Sequence, residues 1–435
     1  MTVLDALNLM NFRVLSSEPR KQEQPVMRAD HGDSQTLASP AKGGSPSDAM
    51  FLHGRIDSHR KTNILFVIDQ LCEAGGAERV LLKTIEGLPK DRFACWLVTF
   101  KYAPEIESLH PPCPMYVFPL GRTYGLNAIF VARKVRKIIR SNKINIVHTF
   151  HETSDLWGGL VAKASGCPAL VSSRRDMGIL RSKKHHLAYR LVNRFVDRVI
   201  AVSERVRNYC IQVDGLNPQK VLTLHNGIDP ANAGSELDPR TCRRLLSIPD
   251  TAHVVTTVGH IRKVKGVDIF IRAAARVCEE FPNAVFLVVG GITEKSHFEE
   301  LLQLSDTLGL GQRIKWLGDR KDIWPILKAS DVFCLPSRSE GFSNALIEAM
   351  ACSLACVATD VGGNGEAITD GINGYLVRPG DPEVMAARIS NLLRFPAKAV
   401  ELGRAARAEV LSRFTFSTMI GKLAGLYADL ASNHE

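Results

Sequence analysis

Two glutamates separated by seven residues carry the most specific chemistry in this 435-residue sequence. They are Glu340 and Glu348, within Ser337–Ala351: Ser-Arg-Ser-Glu-Gly-Phe-Ser-Asn-Ala-Leu-Ile-Glu-Ala-Met-Ala. The apolar run before them, Asp331 to Leu335, is short and holds Val, Phe and Cys, as a buried parallel strand would. Pro336 and Ser337 end it, Gly341 permits a tight turn, and Ser343 is the expected N-cap of a helix to about Met350. A strand that turns on glycine into a helix presents backbone N–H groups that favour an anionic ligand. Glu348 lies among Ala345, Leu346, Ile347, Ala349 and Met350, and a carboxylate there needs a partner or a ligand. Read alone, Glu340 could instead be a solvated loop residue and Glu348 the partner of a core arginine.

Cations of the right kind sit at another strand end. Gly259-His260-Ile261-Arg262-Lys263-Val264-Lys265-Gly266 follows an apolar run and precedes a helical pattern. Arginine offers a planar fork and lysine a point charge, both suited to phosphate oxygens. Gly75 and Gly76, between a first strand and its helix, suit a backbone approached by phosphate or merely a tight turn. Val361-Gly362-Gly363-Asn364-Gly365-Glu366 and Leu317-Gly318-Asp319-Arg320 end further strands. His148 and His151 lie at the end of one strand, and Arg174 and Arg175 at the end of the next. Each of these pairs reads either as a site for a second substrate or as ordinary core and rim residues.

The elements that would position these residues alternate. Strands are expected near Asn63–Ile68, Ala94–Phe100, Met115–Phe118, Ile144–His148, Ala169–Ser173, Arg198–Val202 and Val221–Leu224. After a polar stretch, Pro230 to Pro239, the pattern restarts near Val254–Gly259, Ala284–Val289, Arg313–Leu317, Asp331–Leu335 and Ala355–Thr359. Strand–helix alternation implies parallel sheets covered by helices, hence an α/β chain of two Rossmann-like domains facing a central cleft. The expected division is a leader over 1–60, a first domain over 61–229 and a linker over 230–240. A second domain over 241–415 and a C-terminal helix over 416–435 complete it. Glu18 to Asp48 is rich in Pro, Ser, Gly, Gln and charge without an apolar period, so the leader reads as disordered.

The Glu-x7-Glu segment resembles that of retaining GT-B glycosyltransferases of family 4. Gly-Gly-Ala-Glu from Gly75, Asn-Gly-Ile-Asp from Asn226 and Gly-Gly-x-x-Glu from Gly362 resemble further family segments. The resemblance spans roughly Asn63 to Leu430. It implies that Glu340 contacts the transferred sugar and that Glu348 holds ribose. The amides of Gly341, Phe342, Ser343 and Asn344 would meet phosphate and sugar, and Gly75 and Gly76 would face the diphosphate. Arg320 would lie beside the base, and Arg262 and Lys265 would stabilise the departing nucleoside diphosphate. It implies that a histidine of the His148 and His151 segment lies near the acceptor or the sugar, and that the C-terminal helix crosses back to the first domain. The strand-end pair Arg174 and Arg175 could, from its position alone, bind an acceptor phosphate. The sequence departs from the family at His260, where arginine is common, at His225, where proline is usual, and at Phe150, where a second histidine would fall. The implied activity is transfer from a nucleotide-diphosphate sugar, a co-substrate rather than a cofactor, to a saccharide or lipid-linked acceptor in surface polysaccharide synthesis. No metal is implied. A sugar-nucleotide epimerase and a non-catalytic assembly partner are the alternatives.

Composition narrows the partners. A formal net charge of +10 suggests an acidic partner. Nucleic acid is not expected, because the basic residues show neither aromatic interleaving nor a recognisable motif. The basic sets Arg133, Lys134, Arg136, Lys137 and Arg181, Lys183, Lys184, Arg190 read as solvated helix faces or as a surface for anionic lipid. No run approaches the roughly 18 apolar residues of a membrane-crossing helix, and Met1–Leu15 lacks the marks of a signal peptide. Cysteines scattered without metal-type spacing suit a reducing cytosol. The expected location is therefore the cytoplasm, with the inner membrane face as the place of work.

Overall fold

The computed structural model describes residues 61–71, 76–102, 111–178, 181, 183–234 and 238–433. The expected leader and Gly75 lie outside the described residues. The first sheet comprises β1 (Thr62–Gln70), β2 (Phe93–Lys101), β3 (Met115–Val117), β4 (Ile146–Phe150), β5 (Ala169–Arg174), β6 (Arg198–Ala201) and β7 (Val221–Thr223). Its spatial order is β3-β2-β1-β4-β5-β6-β7. The second comprises β8 (His253–Val258), β9 (Ala284–Val289), β10 (Ile314–Gly318), β11 (Val332–Leu335), β12 (Ala355–Thr359) and β13 (Tyr375–Val377), ordered β10-β9-β8-β11-β12-β13. The pairings within both sheets are parallel. Together the two helix-flanked sheets form an α/β fold of two parallel-sheet halves. β13 was not expected from the sequence, since three residues are too few to show a period.

Strand burial explains why these segments pair this way. Ile64 to Ile68 of β1 are buried on both faces. Leu65 and Val67 join one apolar layer, while Ile64, Phe66 and Ile68 join the layer on the opposite face. A two-residue period therefore feeds two helical layers from one continuous apolar run. The stretch between the sheets is less loose than its composition suggests. It contains a 3₁₀ turn at Pro230–Gly234, and a helix begins at Pro239, capped by Asp238 Oδ1 accepting the N–H groups of Arg240 and Thr241.

The helix Phe416–Ser432 returns to the first sheet. Its buried face, including Met419, Ile420, Leu423 and Tyr427, packs with Phe66 and Phe93. Burying each such side chain is worth about 1.5–3 kcal/mol. The crossing is anchored by Ile228, whose N–H donates to Phe414 O and whose carbonyl accepts from Phe416 N, each at 2.9 Å. Inside the layer, His148 Nδ1 lies 2.6 Å from Tyr427 Oη and Nε2 lies 2.8 Å from Ser173 Oγ.

Burial, with the charge of Arg175 adding to it, pushes the His148 imidazole down to about 3. The unfolded chain takes this proton near the ordinary value of about 6.5, and the folded chain resists until about 3. Stability should therefore fall as pH drops through that window, at up to about 1.4 kcal/mol per pH unit from this group. Urea unfolding from pH 7 to 4 should show a shallower pH slope for His148→Gln than for the native chain. Equal slopes would assign the acid sensitivity elsewhere.

Candidate active site

The second sheet reverses its strand order between β8 and β11, and in open α/β sheets a crevice forms at such a point. The loops leaving those two strands are Gly259–Gly266 and Ser337–Ser343. Gly266 brings them together: it adopts a left-handed backbone, φ 67°, and a Cβ there would stand 2.1 Å from Pro336 O. The resulting cleft, about 800 Å³, is lined from the second half by Arg262, Lys265, Arg320, Glu340, Gly341, Phe342, Ser343, Asn344 and Glu348. Gly76, Arg79, Arg175 and Asn226 line it from the first half.

Within the cleft, Lys265 Nζ lies 2.7 Å from Glu340 Oε1, which also accepts from Ser337 Oγ at 2.7 Å. Arg262 is exposed at the rim. Arg320 lines the wall with its guanidinium already paired to Asp322 at 2.6–2.7 Å, so its side chain is committed elsewhere. The helix Asn344–Ala351 starts at the cavity wall, where Ser343 Oγ accepts from Leu346 N at 3.4 Å. Its N-terminus contributes a partial positive charge beside the two cations.

Glu348 is buried on that helix. Its Oε1 lies 3.6 Å from Arg79 Nη1, and its Oε2 makes no hydrogen bond to the protein. Burial raises the carboxyl pKa, with Arg79 opposing the shift. A buried acceptor without a donor costs about 1–3 kcal/mol, so this oxygen is suited to receive hydroxyls from a ligand.

The first half meets the motif loop closely. Arg175 Nη2 donates to Asn226 Oδ1 at 2.5 Å, Asn226 Nδ2 to Asn344 Oδ1 at 2.6 Å, and Asn344 Nδ2 to Gly76 O at 3.3 Å. Burial lowers the Arg175 pKa to about 10, with Glu78 opposing. A Cβ on Gly341 would stand 2.0 Å from Arg175 O. Glycine is therefore demanded at 341 by room, since its φ is outside the left-handed region.

Residues 240–409 match the family model of glycosyl transferases group 1, and residues 74–232 match that of glycosyltransferase family 4. The chain belongs to the GT-B glycosyltransferases of family 4. It is 26% identical over 371 residues to the Escherichia coli UDP-Gal:alpha-D-GlcNAc-diphosphoundecaprenol alpha-1,3-galactosyltransferase, covering 82% of this chain and 95% of that one. Anabaena Alr3699/HepE, solved in complex with UDP and glucose, superposes with a TM-score of 0.76 at 26% identity, covering 84% of this chain and 99% of the other. A glycosyltransferase from Rickettsia africae, at 20% identity and TM-score 0.77, shares the fold over 86% of this chain and all of its own.

Within this glycosyltransferase the acceptor expectations divide. His148 does not reach the cleft, because both ring nitrogens are engaged inside the core. Arg174 is also withdrawn: its Nη1 pairs with Asp155 Oδ2 at 2.7 Å and its Nη2 donates to Asn193 Oδ1, all buried. Arg175, one residue on, points into the cleft. His151 is half-buried with φ 72° and is not part of the lining. Arg79 and Asn226, among the lining residues, were not expected from the sequence as site residues. Arg79 follows Gly76 on the opening helix and could have been read from that position. Asn226 lies in a family-like segment, but nothing local places its side chain in the cleft, since its partners lie 51 and 118 residues away.

Proposed function

We propose that this glycosyltransferase moves a sugar from a nucleotide-diphosphate donor to a lipid-linked saccharide, with retention of anomeric configuration and without a metal, in the synthesis of a surface polymer. The observation that carries the reading is the constellation around one cleft: two cations, a helix N-terminus and a buried carboxylate with an unpaired oxygen. The cations and the helix end would stabilise the diphosphate as the bond from anomeric carbon to phosphate oxygen breaks. Glu348 would accept the ribose hydroxyls, and Glu340, held by Lys265 and Ser337, would accept from a hydroxyl of the sugar. The acceptor oxygen attacks on the face the phosphate leaves, and its proton passes to the departing phosphate oxygen. The Escherichia coli relative, named for a diphosphoundecaprenol acceptor, supports the lipid-linked assignment.

Thermal-shift screening against nucleotide sugars would identify the donor, since a ligand at a hundred times its Kd adds about 2.7 kcal/mol. Product NMR with that donor, with and without EDTA, then tests the mechanism. An α-linked product from an α-linked donor, formed equally with chelator, is expected. A β-linked product would overturn retention, and loss of turnover in EDTA would overturn the metal-free reading separately.

The helix Leu126–Ser141 is the expected membrane face. It buries Ala128, Val131, Val135, Ile138 and Ile139 against the core and exposes Leu126, Ile129 and Phe130 beside Arg133, Lys134, Arg136 and Lys137. Each surface cation contributes about 1 kcal/mol toward an anionic bilayer. Reversing all four to Glu should lower binding to anionic vesicles by more than about a hundredfold. Turnover of a short soluble acceptor should change less than about twofold. Unchanged co-sedimentation would remove the membrane assignment.

A further inference from the structure

The sequence places His225 where its family has proline, and the reaction proposed above makes no use of it. In the structure its Nε2 lies 2.7 Å from Glu366 Oε2. Glu366 comes from the second half, on the short turn Asn364–Ala367, and reaches the first half. There its Oε2 accepts from Glu204 N at 2.9 Å and its Oε1 from Arg205 N at 3.1 Å, at the start of the helix Glu204–Gln212. One carboxylate therefore ties a first-half helix, the segment leaving β7 and the second half together.

The same contact reaches the motif loop. The His225 ring lies 4.9 Å from Phe342 and 5.3 Å from Phe414, centroid to centroid, and those two rings are 5.1 Å apart. Phe342 lies between the two motif glutamates and lines the cleft. The turn leading to Glu366 is wedged against the same loop. Gly363 N donates to Gly341 O at 2.8 Å, and a Cβ on Gly362 would stand 1.8 Å from Glu340 O. A Cβ on Gly363 would meet Phe342 at 2.7 Å and Ser203 at 2.8 Å. With so little free space, displacing Glu366 must move Gly341 and Phe342 as well.

We propose that His225 and Glu366 form a clasp between the two halves, behind the motif loop, that positions Gly341 and Phe342, and so sets the affinity of the donor site. Both are positioning residues, acting through the motif loop. The surrounding charges are accounted for. Arg205 is paired with Asp360 at 3.5 Å. Arg413 donates to the Glu366 carbonyl and pairs with Glu409. Glu204 lies toward Arg207. The imidazole and two amides are thus left to hold the Glu366 side chain. Burial alone would raise its pKa, but those three hydrogen bonds outweigh burial and lower it.

The proposal rests on the donor reading above, so the test has an arm that needs no donor. In the full-length chain, His225→Ala should speed amide hydrogen exchange at Gly363, Glu204 and Arg205 by at least about tenfold, the effect of about 1.4 kcal/mol. Exchange in the centre of β1 should be unchanged. Glu366→Ala should speed Gly363 by a similar factor, and the double variant should add little, as expected of one coupled unit. With the nucleotide sugar chosen by the thermal-shift screen, each single variant should raise KM about tenfold and change kcat less than twofold. His225→Gln, which retains a side-chain N–H donor, should restore most of both effects.

Unchanged exchange at Gly363 would overturn the clasp. Faster exchange throughout the first sheet would show a merely structural contact, and would overturn it too. Faster exchange at Gly363 with an unchanged KM would overturn the link to donor affinity. Failure of the donor screen itself would count against the donor reading, while the exchange arm would still decide whether the clasp exists.

Discussion

Lys265→Ala is expected to lower kcat by about 10²–10³-fold, the typical cost of removing one donor aimed at charge that develops in the transition state. The lysine and Glu340 form a pair whose side chains are only 17% and 9% exposed, so the substitution also leaves a mostly buried carboxylate with Ser337 as its remaining side-chain partner. That should cost about 1–3 kcal/mol of stability. The two effects separate in the double variant. Lys265→Ala combined with Glu340→Gln removes the stranded charge, and its Tm should recover toward that of the native chain. Its kcat should stay low, because no cation has returned to the diphosphate. Steady-state kinetics and thermal unfolding on the three proteins decide the matter. If the double variant regained turnover, Lys265 would serve only to neutralise Glu340.

Glu348→Gln is expected to weaken nucleotide binding by at least about a hundredfold, since hydrogen bonds to a charged acceptor contribute about 1.5–3 kcal/mol each and the ribose would offer two. The unliganded protein should be as stable as the native chain or more so. The folded-state pKa of this carboxyl is raised, so keeping it ionised carries a cost that grows as pH rises above the ordinary carboxylate range. Glutamine removes that cost at neutral pH while keeping the shape of the side chain. A calorimetric titration with the donor and a melting curve without it test both halves. Near-native affinity would return Glu348 to the role of partner for Arg79. A large loss of stability would show that the carboxylate is held for the fold rather than for a ligand.

Much of the framework could be read from the residues themselves. Continuous apolar runs such as Ile64–Ile68 and Val332–Leu335 have burial as their local cause, and both form parallel strands buried on both faces. Ser343 was recognisable as a cap because a serine oxygen beside an opening helix has free N–H groups within reach. The cleft around Arg262, Lys265, Glu340 and Glu348 was expected because ligands sit at the carboxyl ends of parallel strands and because of the family resemblance; the strand order that reverses there came from the structure. From the sequence, Gly341 was read as a residue that permits a tight turn. Its local turn does not need it; Arg175 O, 166 positions earlier in the chain, does.

The sequence by itself determined the described strands other than β13, that two Rossmann-like halves follow one another, and which strand ends carry cations and carboxylates. Those properties depend on residue type and on periods of a few residues. Only the tertiary structure decided which of those strand-end side chains line the cleft. Arg174 and Arg175 are adjacent, and pleating sends successive side chains to opposite faces. One is consumed by Asp155 in the core, and the other reaches the cleft. His148 was likewise claimed by Tyr427, 279 positions away on a helix that returns from the far end of the chain. No local pattern encodes that partner, because its proximity exists only once both sheets have formed and the last helix has crossed between them.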